Sequence, residues 1–385
     1  MSDKSKLNLC IITFPMQNHV PLIRLIRTLE SLASGLTLIT GNFPHDSVSN
    51  DVNVIRINHD FKQQTMFIRI PKYIITQLKI MFQLIKARNE IDIVIYFIGG
   101  FGLSLPILAS KLLRKKIILS MAGSGARSAK CIYKNTLWGA GAVLFPHVIS
   151  LFESLNLRMS NRIVVYSPSF ISFCRLEKFR GKISIAHEHF LDFGTYRIEK
   201  ALAERNDLIG YVGRLSEEKG VINFVKAIPK VLKTNRKTRF LIIGRGPLRS
   251  EIEGFIKGNG LERQVRMLDW IHSDKIPVYL NRLKLLVLPS YTEGLPNIAL
   301  EAMACGTVVL TTPVGSIPDL VNEGETGFIL ENNNPESIAI GILRAMSHPR
   351  LDAIADKAHQ LVEQNYTYEA AVAGYKKVLA SVKAE

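Results

Sequence analysis

The chain has 385 residues, of which 47% are hydrophobic and 21% are charged, and this composition excludes a disordered or fibrous protein. A chain of this length suits two domains better than one core, and its four scattered cysteines predict neither a zinc site nor a disulfide framework but a reducing, cytoplasmic compartment. The formal net charge of +16 predicts an anionic partner, such as a phospholipid surface, a lipid phosphate or nucleic acid.

The first half of the chain alternates short β-branched runs with helical periodicity, which is typical of an α/β domain with a mainly parallel sheet. Its opening residues predict a polar tail before a first strand, not a signal peptide. Two uncharged stretches of about 18 residues, 93–110 and 135–152, reach the lower limit for crossing a bilayer, but their glycines and prolines favour buried structure. The strands predicted in this half are LNLCIITF, GLTLIT, NVIRI, IDIVIYFI, KKIILSMAG and NRIVVYS.

The segment 71–88 predicts a helix with a basic stripe formed by Lys72, Lys79 and Lys86. Ile80 and Leu84 fall on its otherwise polar side, so more than one face of this helix requires burial. An ordinary core helix would explain the apolar spacing equally well. The apolar residues at helical spacing are Ile74, Ile75, Leu78, Met81, Phe82 and Ile85.

The region around this helix is strongly basic. Thirteen basic residues between Lys62 and Lys134 are opposed only by Glu90 and Asp92. Together with the amphipathic helix, this excess favours contact with an anionic membrane surface. The predicted membrane contacts are Lys72, Lys79, Lys86, Lys115 and Lys116.

Periodicity is lost near 190–205, so we place the boundary between two doubly wound domains there, with domains at 1–195 and 196–367. In such sheets, ligands bind at the carboxyl ends of the strands. The strands predicted in the second half are DLIGYVGR, TRFLIIG, VRMLDW, LKLLVLPS and VVLTT.

The first strand-to-helix turn of the second half, YVGRLSEEKGV, carries candidate anion-binding residues. Gly213 lets the backbone turn tightly, and Arg214 and Lys219 place two cations near a helix N-terminus, which itself favours anions. Alternatively, these two cations pair with Glu217 and Glu218 on a solvated loop.

Two further turns follow the same design. IIGRGPLRSEIE contains Gly244 and Gly246, and SYTEGLPNIALEAMACG places Glu293 over a helix that starts at Pro296, with Glu301 inside that helix. Carboxylates only accept hydrogen bonds, so two of them suit a hydroxyl-rich ligand such as a nucleotide sugar. The alternative is that Glu293 caps the helix and Glu301 pairs with a neighbouring base.

These motifs resemble those of the retaining glycosyltransferases of family 4, which have the GT-B fold of two facing Rossmann-like domains with an interdomain cleft. The resemblance covers about 209–330 and includes the segment TTPVGSIPDLVNEGETGFIL. The matching motifs are Gly213-Arg214, Lys219-Gly220, Gly244 to Pro247, Glu293 to Glu301 and Ala302 to Gly306.

The resemblance implies that Arg214 and Lys219 hold the diphosphate of a nucleotide sugar and act catalytically together with Glu293. Glu301 would bind the ribose, and Glu293 the transferred sugar. The family also implies that a last helix, 368–385, crosses back onto the first domain. The remaining donor-binding residues that it implies are Gly213, Gly244, Gly246, Trp270, Ile271, Gly294 and Leu295.

The N-terminal half resembles the family only loosely. The turn TFPMQNHV lacks the glycine pair that many members carry after the first strand, and no histidine lies between Lys116 and Lys134, where some members have one. No catalytic residue is therefore assigned to this half. His19 could contact the donor, although a helix-start histidine without a role explains it more simply. The candidate acceptor-loop residues are Gly123, Ser124 and Gly125.

The sequence thus predicts transfer of a hexose-type sugar from a nucleotide diphosphate sugar, with UDP favoured over GDP, to an acceptor hydroxyl on a membrane-associated glycan or polyprenyl-linked lipid. No cofactor is expected, and the lack of an Asp-x-Asp motif predicts transfer without a metal. The predicted location is peripheral, on the cytoplasmic face of a membrane. One alternative is a catalytically silent GT-B membrane scaffold; another is a basic nucleic-acid-binding protein, which leaves the glutamate pair unexplained.

Overall fold

The structure is a computed structural model that describes residues 7–16, 19–44, 47–57, 66–123 and 140–384. It divides into two compact units, one formed by Met1–Phe190 together with Tyr368–Glu385, and the other by Leu191–Thr367. The division between Phe190 and Leu191 falls in the segment 190–205, where the sequence loses its periodicity.

A parallel sheet of seven strands, in the order β3-β2-β1-β4-β5-β6-β7, forms the centre of the first unit. Apolar clusters lie on both of its faces, which explains why its strands are continuous β-branched runs. The sequence predicts six of these strands but misses β7, because three residues are too short to show a pattern. The strands are β1 (Leu7–Thr13), β2 (Ala33–Thr40), β3 (Val52–Arg56), β4 (Ile93–Phe97), β5 (Lys116–Met121), β6 (Arg162–Val165) and β7 (Ile183–Ile185).

Helices connect these strands. The stretch 93–110 splits as predicted into a strand, a glycine turn and the start of a short helix. Within the described ranges, no helix is long and apolar enough to cross a bilayer. The helices are α1 (Val20–Glu30), α2 (Met66–Lys86), α3 (Ser104–Leu112), α4 (Ala140–Met159) and α5 (Pro168–Phe173).

The second unit has a parallel sheet of six strands in the order β10-β9-β8-β11-β12-β13. The two-residue β13 is again too short to be predicted. The strands are β8 (Leu208–Val212), β9 (Arg239–Ile243), β10 (Val265–Leu268), β11 (Leu285–Leu288), β12 (Val308–Thr311) and β13 (Phe328–Ile329). The helices are α6 (Val221–Thr234), α7 (Arg249–Gly258), α8 (Ile276–Leu280), α9 (Asn297–Ala304), α10 (Ile317–Leu320), α11 (Pro335–Met346) and α12 (Leu351–Asn365).

The last helix, α13 (Tyr368–Lys383), belongs to the first unit although it follows the second unit in sequence. Tyr375, Val378 and Val382 of this helix are buried in the apolar cluster that covers one face of the first sheet. The Tyr368 hydroxyl donates to the Arg27 carbonyl at the end of α1, 3.1 Å away.

Helix α2 starts earlier than the sequence suggests, at Met66 instead of residue 71, so that Pro71 lies inside it. Ile80 and Leu84 are fully buried against the first sheet, which confirms that this side of the helix needs burial. The opposite side is exposed: Ile75 is 50% and Phe82 65% accessible. The apolar stripe that the sequence indicates is therefore not the face that packs in the core.

Two isoleucines on α2 provide a matched test of this orientation. We expect Ile80→Ala to lower the free energy of unfolding by about 2–5 kcal/mol, because it leaves a cavity in the core. Ile75→Ala, on the exposed side, should change it by no more than about 0.5 kcal/mol. Urea denaturation followed by circular dichroism measures both, and equal effects would show that the helix is turned differently.

Candidate functional site

The candidate site lies where the strand order of the second sheet changes direction. From β8 the chain continues outward through β9 and β10, whereas β11 to β13 extend on the other side of β8. In open α/β sheets, such a reversal opens a crevice outside the carboxyl ends of the two central strands. The turns after β8 and β11, which hold Lys219 and Glu293, border this crevice.

An ion pair joins the two turns. Lys219 Nζ lies 2.7 Å from Glu293 Oε1 and 2.8 Å from Oε2, and the two side chains are only 20% and 10% exposed. The Ser290 hydroxyl also donates to Glu293 Oε1, at 2.7 Å. A backbone bond of 2.9 Å from the Tyr291 amide to the Glu218 carbonyl connects the same two turns. The site therefore has a fixed ammonium group beside a fixed carboxylate.

Arg214 pairs with a glutamate of its own loop, which is the alternative that the sequence left open. Its guanidinium pairs with Glu218 at 2.9 Å and remains 66% exposed. The Ser216 hydroxyl donates to the same Glu218 oxygen at 2.7 Å. Lys219 does not follow that alternative, because its partner is Glu293. The two cations thus differ: Lys219 is held in place, and Arg214 extends from the turn into solvent.

Close packing of backbone against backbone explains two glycines of these turns, Gly220 and Gly246. Gly213 has no positive φ; that conformation occurs at Gly220, with φ at 65°. A Cβ on Gly220 would lie 2.0 Å from the Pro289 carbonyl oxygen, and one on Gly246 would lie 2.2 Å from that of Leu215. Glycine therefore lets the three turns approach each other at backbone distance.

The second turn contributes an ion pair that the sequence analysis does not predict. Arg245, between Gly244 and Gly246, pairs with Asp269 after β10, and its Nη2 lies 2.8 Å from Oδ2. The hydrogen bond from Arg245 lowers the pKa of Asp269 to about 2, and the Trp270 amide donates to this carboxylate as well.

The residues predicted to bind the base, Trp270 and Ile271, directly follow Asp269 in sequence. Trp270 is 62% exposed, and Ile271 is partly exposed beside it. An exposed indole at this edge provides an apolar surface that a flat ring can contact.

The third turn ends in helix α9. Pro296 precedes the helix instead of opening it, since its ψ of 113° is extended and the helix begins at Asn297. Glu301 lies in the second turn of α9 and is half-buried. Gly294 and Leu295 occupy the turn itself, and within the described part of the chain their amides donate no hydrogen bond.

The residues predicted in the first unit are only partly described. Gly123 follows β5, and a Cβ there would meet nothing within 4 Å. Ser124 and Gly125 lie outside the described residues. The His19 imidazole is partly buried and packs edge-on against Phe43, with ring centroids 5.4 Å apart, and burial lowers its pKa. His19 precedes α1, but its side chain makes no capping bond.

Two of the predicted membrane contacts also have roles within the protein. Lys115 is partly buried and donates to the Ile91 carbonyl at 2.7 Å, so its ammonium is directed to the protein. Lys116 is the partly buried first residue of β5. Lys79 and Lys86 are exposed, and Lys72 is partly exposed.

Among the described residues, no group of three or more His, Cys, Asp or Glu side chains has the arrangement of a metal site. The residues that sequence reasoning missed are Ser290, Arg245 and Asp269. Ser290 donates to Glu293, and Arg245 and Asp269 form an ion pair beside Trp270. Asp269 had a signal, because it lies near the carboxyl end of the predicted strand VRMLDW. The partners in these pairs become evident only once the strand order is known.

Substitution at Gly220 tests the close packing of the turns. Gly220→Ala should destabilise the protein by more than about 1–2 kcal/mol, the cost of the left-handed backbone alone, because its Cβ also overlaps Pro289. Gly254→Ala, in α7 with open space around it, should instead stabilise the protein by up to about 1 kcal/mol. Thermal unfolding compares the two variants, and a tolerated Gly220→Ala would refute the close approach.

Residues 192–368 match the family model described as "Glycosyl transferases group 1". Alpha-D-kanosaminyltransferase of Streptomyces kanamyceticus is 29% identical over 49% of this chain and 50% of that protein. The capsular polysaccharide biosynthesis glycosyltransferase CapM of Staphylococcus aureus is 27% identical over 57% of each chain. The matched regions therefore span about half the length of these curated relatives.

Among solved structures, HepE of Anabaena in complex with UDP and glucose has a TM-score of 0.70 at 16% identity, over 96% of this chain and 99% of that chain. The likeness extends over both units and shows the fold, an α/β GT-B architecture with two Rossmann-like domains. The sequence similarity to group 1 glycosyl transferases lies in the second unit, which also holds the candidate site.

Proposed function

We propose that the protein is a retaining glycosyltransferase of family 4 that transfers a hexose-type sugar from a nucleotide diphosphate sugar to an acceptor hydroxyl. The observation that carries this proposal is the Lys219–Glu293 pair at the reversal of strand order in the second sheet. It places a cation and a hydrogen-bond acceptor side by side where α/β sheets bind their ligands. A ligand with a diphosphate next to a hydroxyl-bearing sugar matches both groups.

The hydrogen-bond capacity of this pair leaves room for a ligand. An ammonium group has three donors, and Lys219 directs two short contacts to Glu293, so one donor remains for a phosphate oxygen. A carboxylate has about four acceptor sites, of which the Lys219 contacts and Ser290 use three. Glu293 thus retains capacity for one sugar hydroxyl. Arg214, which is exposed and precedes Lys219 in the same turn, supplies the second cation.

The proposed reaction breaks the bond between the anomeric carbon and the diphosphate oxygen and forms a bond from that carbon to the acceptor oxygen on the same face. The acceptor proton passes to the leaving phosphate oxygen. Negative charge grows on the diphosphate as the bond breaks, and Lys219, Arg214 and the amides of Gly294 and Leu295 would stabilise it. Such preorganised electrostatic stabilisation is commonly the main source of an enzyme's rate enhancement. This step uses no metal or cofactor.

The nucleotide would occupy the other side of the crevice. Glu301 would accept hydrogen bonds from the ribose, and the exposed Trp270 and Ile271 would border the base. UDP is the favoured nucleotide, and the similarity to HepE, whose structure was solved in complex with UDP and glucose, supports that choice.

We further propose a membrane-associated glycan or polyprenyl-linked lipid as the acceptor, with the protein bound peripherally to the cytoplasmic face of a membrane. The basic first half of the chain supports this proposal, as does the similarity to CapM, whose name refers to capsular polysaccharide biosynthesis.

Removing either cation tests the diphosphate role. Arg214→Ala and Lys219→Ala should each reduce turnover by on the order of a hundredfold, because growing phosphate charge loses a preorganised partner. Lys226→Ala is the matched control, an exposed lysine on α6, and should leave turnover unchanged. Activity is measured as nucleotide diphosphate release. Near-normal turnover in both site variants would contradict the proposed role of Arg214 and Lys219 in binding the diphosphate.

The two glutamates should respond differently to two ligands, UDP and UDP-glucose. Glu301→Ala should weaken the binding of both, because both carry the ribose. Glu293→Ala should weaken UDP-glucose more than UDP, because UDP-glucose loses the acceptor for its sugar hydroxyl, whereas UDP loses only the partner that positions Lys219. Glu251→Ala, at an exposed position on α7, is the control. Isothermal titration calorimetry measures these affinities. An equal loss of affinity for UDP and UDP-glucose in both variants would contradict the division of roles.

A further inference from the structure

Three adjoining helices of the first unit expose an unusual number of large apolar side chains. Leu112 of α3 is 75% exposed, Phe82 of α2 is 65% exposed and Leu151 of α4 is 59% exposed. Each helix exposes at least one further large apolar residue, and we call six of these residues, two from each helix, the apolar platform. Its members are Ile75, Phe82, Leu108, Leu112, Leu151 and Phe152.

The three helices form one layer. The Leu105 amide at the start of α3 donates to Gln77 Oε1 of α2, and Asn156 Nδ2 of α4 donates to Ser104 Oγ, both at 3.1 Å. Helix α3 therefore lies between α2 and α4. The inner faces of the three helices, represented by Ile80, Ile107 and Leu157, belong to the same apolar cluster beneath one face of the first sheet. Their outer faces consequently point away from the sheet together.

The charge on this layer has one sign. Helices α2 and α3 contain no acidic residue, and Glu153, the one acidic residue of α4, is only 8% exposed. Lys79, Lys86 and Lys111 are exposed on α2 and α3. An apolar surface with lysines and no exposed carboxylate is complementary to a phase with an apolar interior and anionic head groups.

The same charge argues against a second copy of the chain on this surface. A symmetric dimer through the platform would bring the lysines of α2 and α3 against their own copies, and like charges across an interface oppose association. Lysine is also depleted at protein–protein interfaces. A lipid bilayer needs no such pairing, because its phosphates meet the lysines directly.

We propose that the apolar platform is the surface through which this protein docks on an anionic lipid bilayer, with α2, α3 and α4 lying in the plane of the interface. Phe82, Leu112 and Leu151 enter the boundary between head groups and acyl chains, while Lys79, Lys86 and Lys111 contact lipid phosphates. The docking site thus extends beyond α2, the amphipathic helix that the sequence indicates, to the outer faces of α3 and α4. This inference rests on the proposed function, because it names the surface for the peripheral membrane binding proposed there; the docking itself does not require transferase activity.

Vesicle flotation of the full chain tests the proposal. The wild type should bind vesicles of phosphatidylcholine with phosphatidylglycerol and should bind pure phosphatidylcholine poorly. Leu112→Ser/Leu151→Ser should reduce binding to the acidic vesicles by about tenfold or more, since both side chains enter the interface. The matched control, Val278→Ser/Ile340→Ser, removes two exposed apolar residues of the second unit, at 53% and 59% exposure, and should bind like the wild type.

The triple variant Lys79→Gln/Lys86→Gln/Lys111→Gln tests the contribution of charge. It should lose the preference for acidic vesicles. Raising the salt to 1 M should weaken wild-type binding, because the Debye length falls from about 8 Å to about 3 Å. Undiminished binding of the serine variant, or equal binding to neutral and acidic vesicles, would overturn the proposal. The proposal would also be overturned if the wild type were a dimer and the serine variant a monomer that still bound vesicles, since the platform would then be a contact between copies.

Nucleotide binding separates this proposal from the proposed function. The serine and glutamine variants should bind UDP with wild-type affinity, because none of the replaced residues lies in the candidate donor site. A wild type that binds acidic vesicles but no nucleotide sugar would support docking and overturn the transferase. A wild type that binds a nucleotide sugar but no acidic vesicles would overturn docking and the proposed peripheral location, and would leave the transferase in place.

Discussion

The ion pair between Lys219 and Glu293 is the interaction on which the candidate site depends. Its two residues are 74 positions apart in sequence and meet because their turns follow the two central strands of the second sheet. A partly buried pair of this kind is weak evidence for stability, because desolvation offsets much of its attraction. Its value is positional, since it fixes an ammonium group at the edge where the strand order reverses.

This placement depends in turn on glycines that allow backbone to approach backbone. Gly220 and Gly315 have positive φ values of 65° and 64°, and a Cβ on Gly315 would lie 2.2 Å from the Glu293 carbonyl oxygen. Side chains at these positions would push the turns apart and separate Lys219 from Glu293. The glycines thus act indirectly: they do not touch a ligand but bring the groups that would touch it within reach of one another.

Much of the fold could be predicted from the sequence, because β-branched runs alternate with helical periodicity in both halves. The missed strands, β7 and β13, have three and two residues and owe their conformation to neighbouring strands. The site residues could be found because they follow strands, whereas their pairing could not, since it depends on strand order. Arg214 and Lys219 have the same charge and share a turn, yet one pairs locally and the other with Glu293.

Helix α2 shows a different limit of sequence reasoning. Its apolar residues occupy more than one face, and spacing alone cannot say which face meets the core. Packing resolves the question, because Ile80 and Leu84 fit the apolar cluster under the first sheet while Phe82 remains outside. The exposed apolar stripe of α2 then indicates a surface that contacts a partner. A soluble protein rarely presents a contiguous apolar surface without a partner.

The central claim is that a nucleotide diphosphate sugar binds at the turns held together by Lys219 and Glu293. A thermal-shift screen of the full chain against UDP-, GDP- and ADP-sugars tests it most directly, because a ligand that binds only the folded state at 100 times its Kd stabilises it by about 2.7 kcal/mol. We expect sugars of one nucleotide, UDP first, to raise the melting temperature of the wild type but not that of Lys219→Ala. No shift with any of these sugars, or an equal shift in the variant, would contradict it.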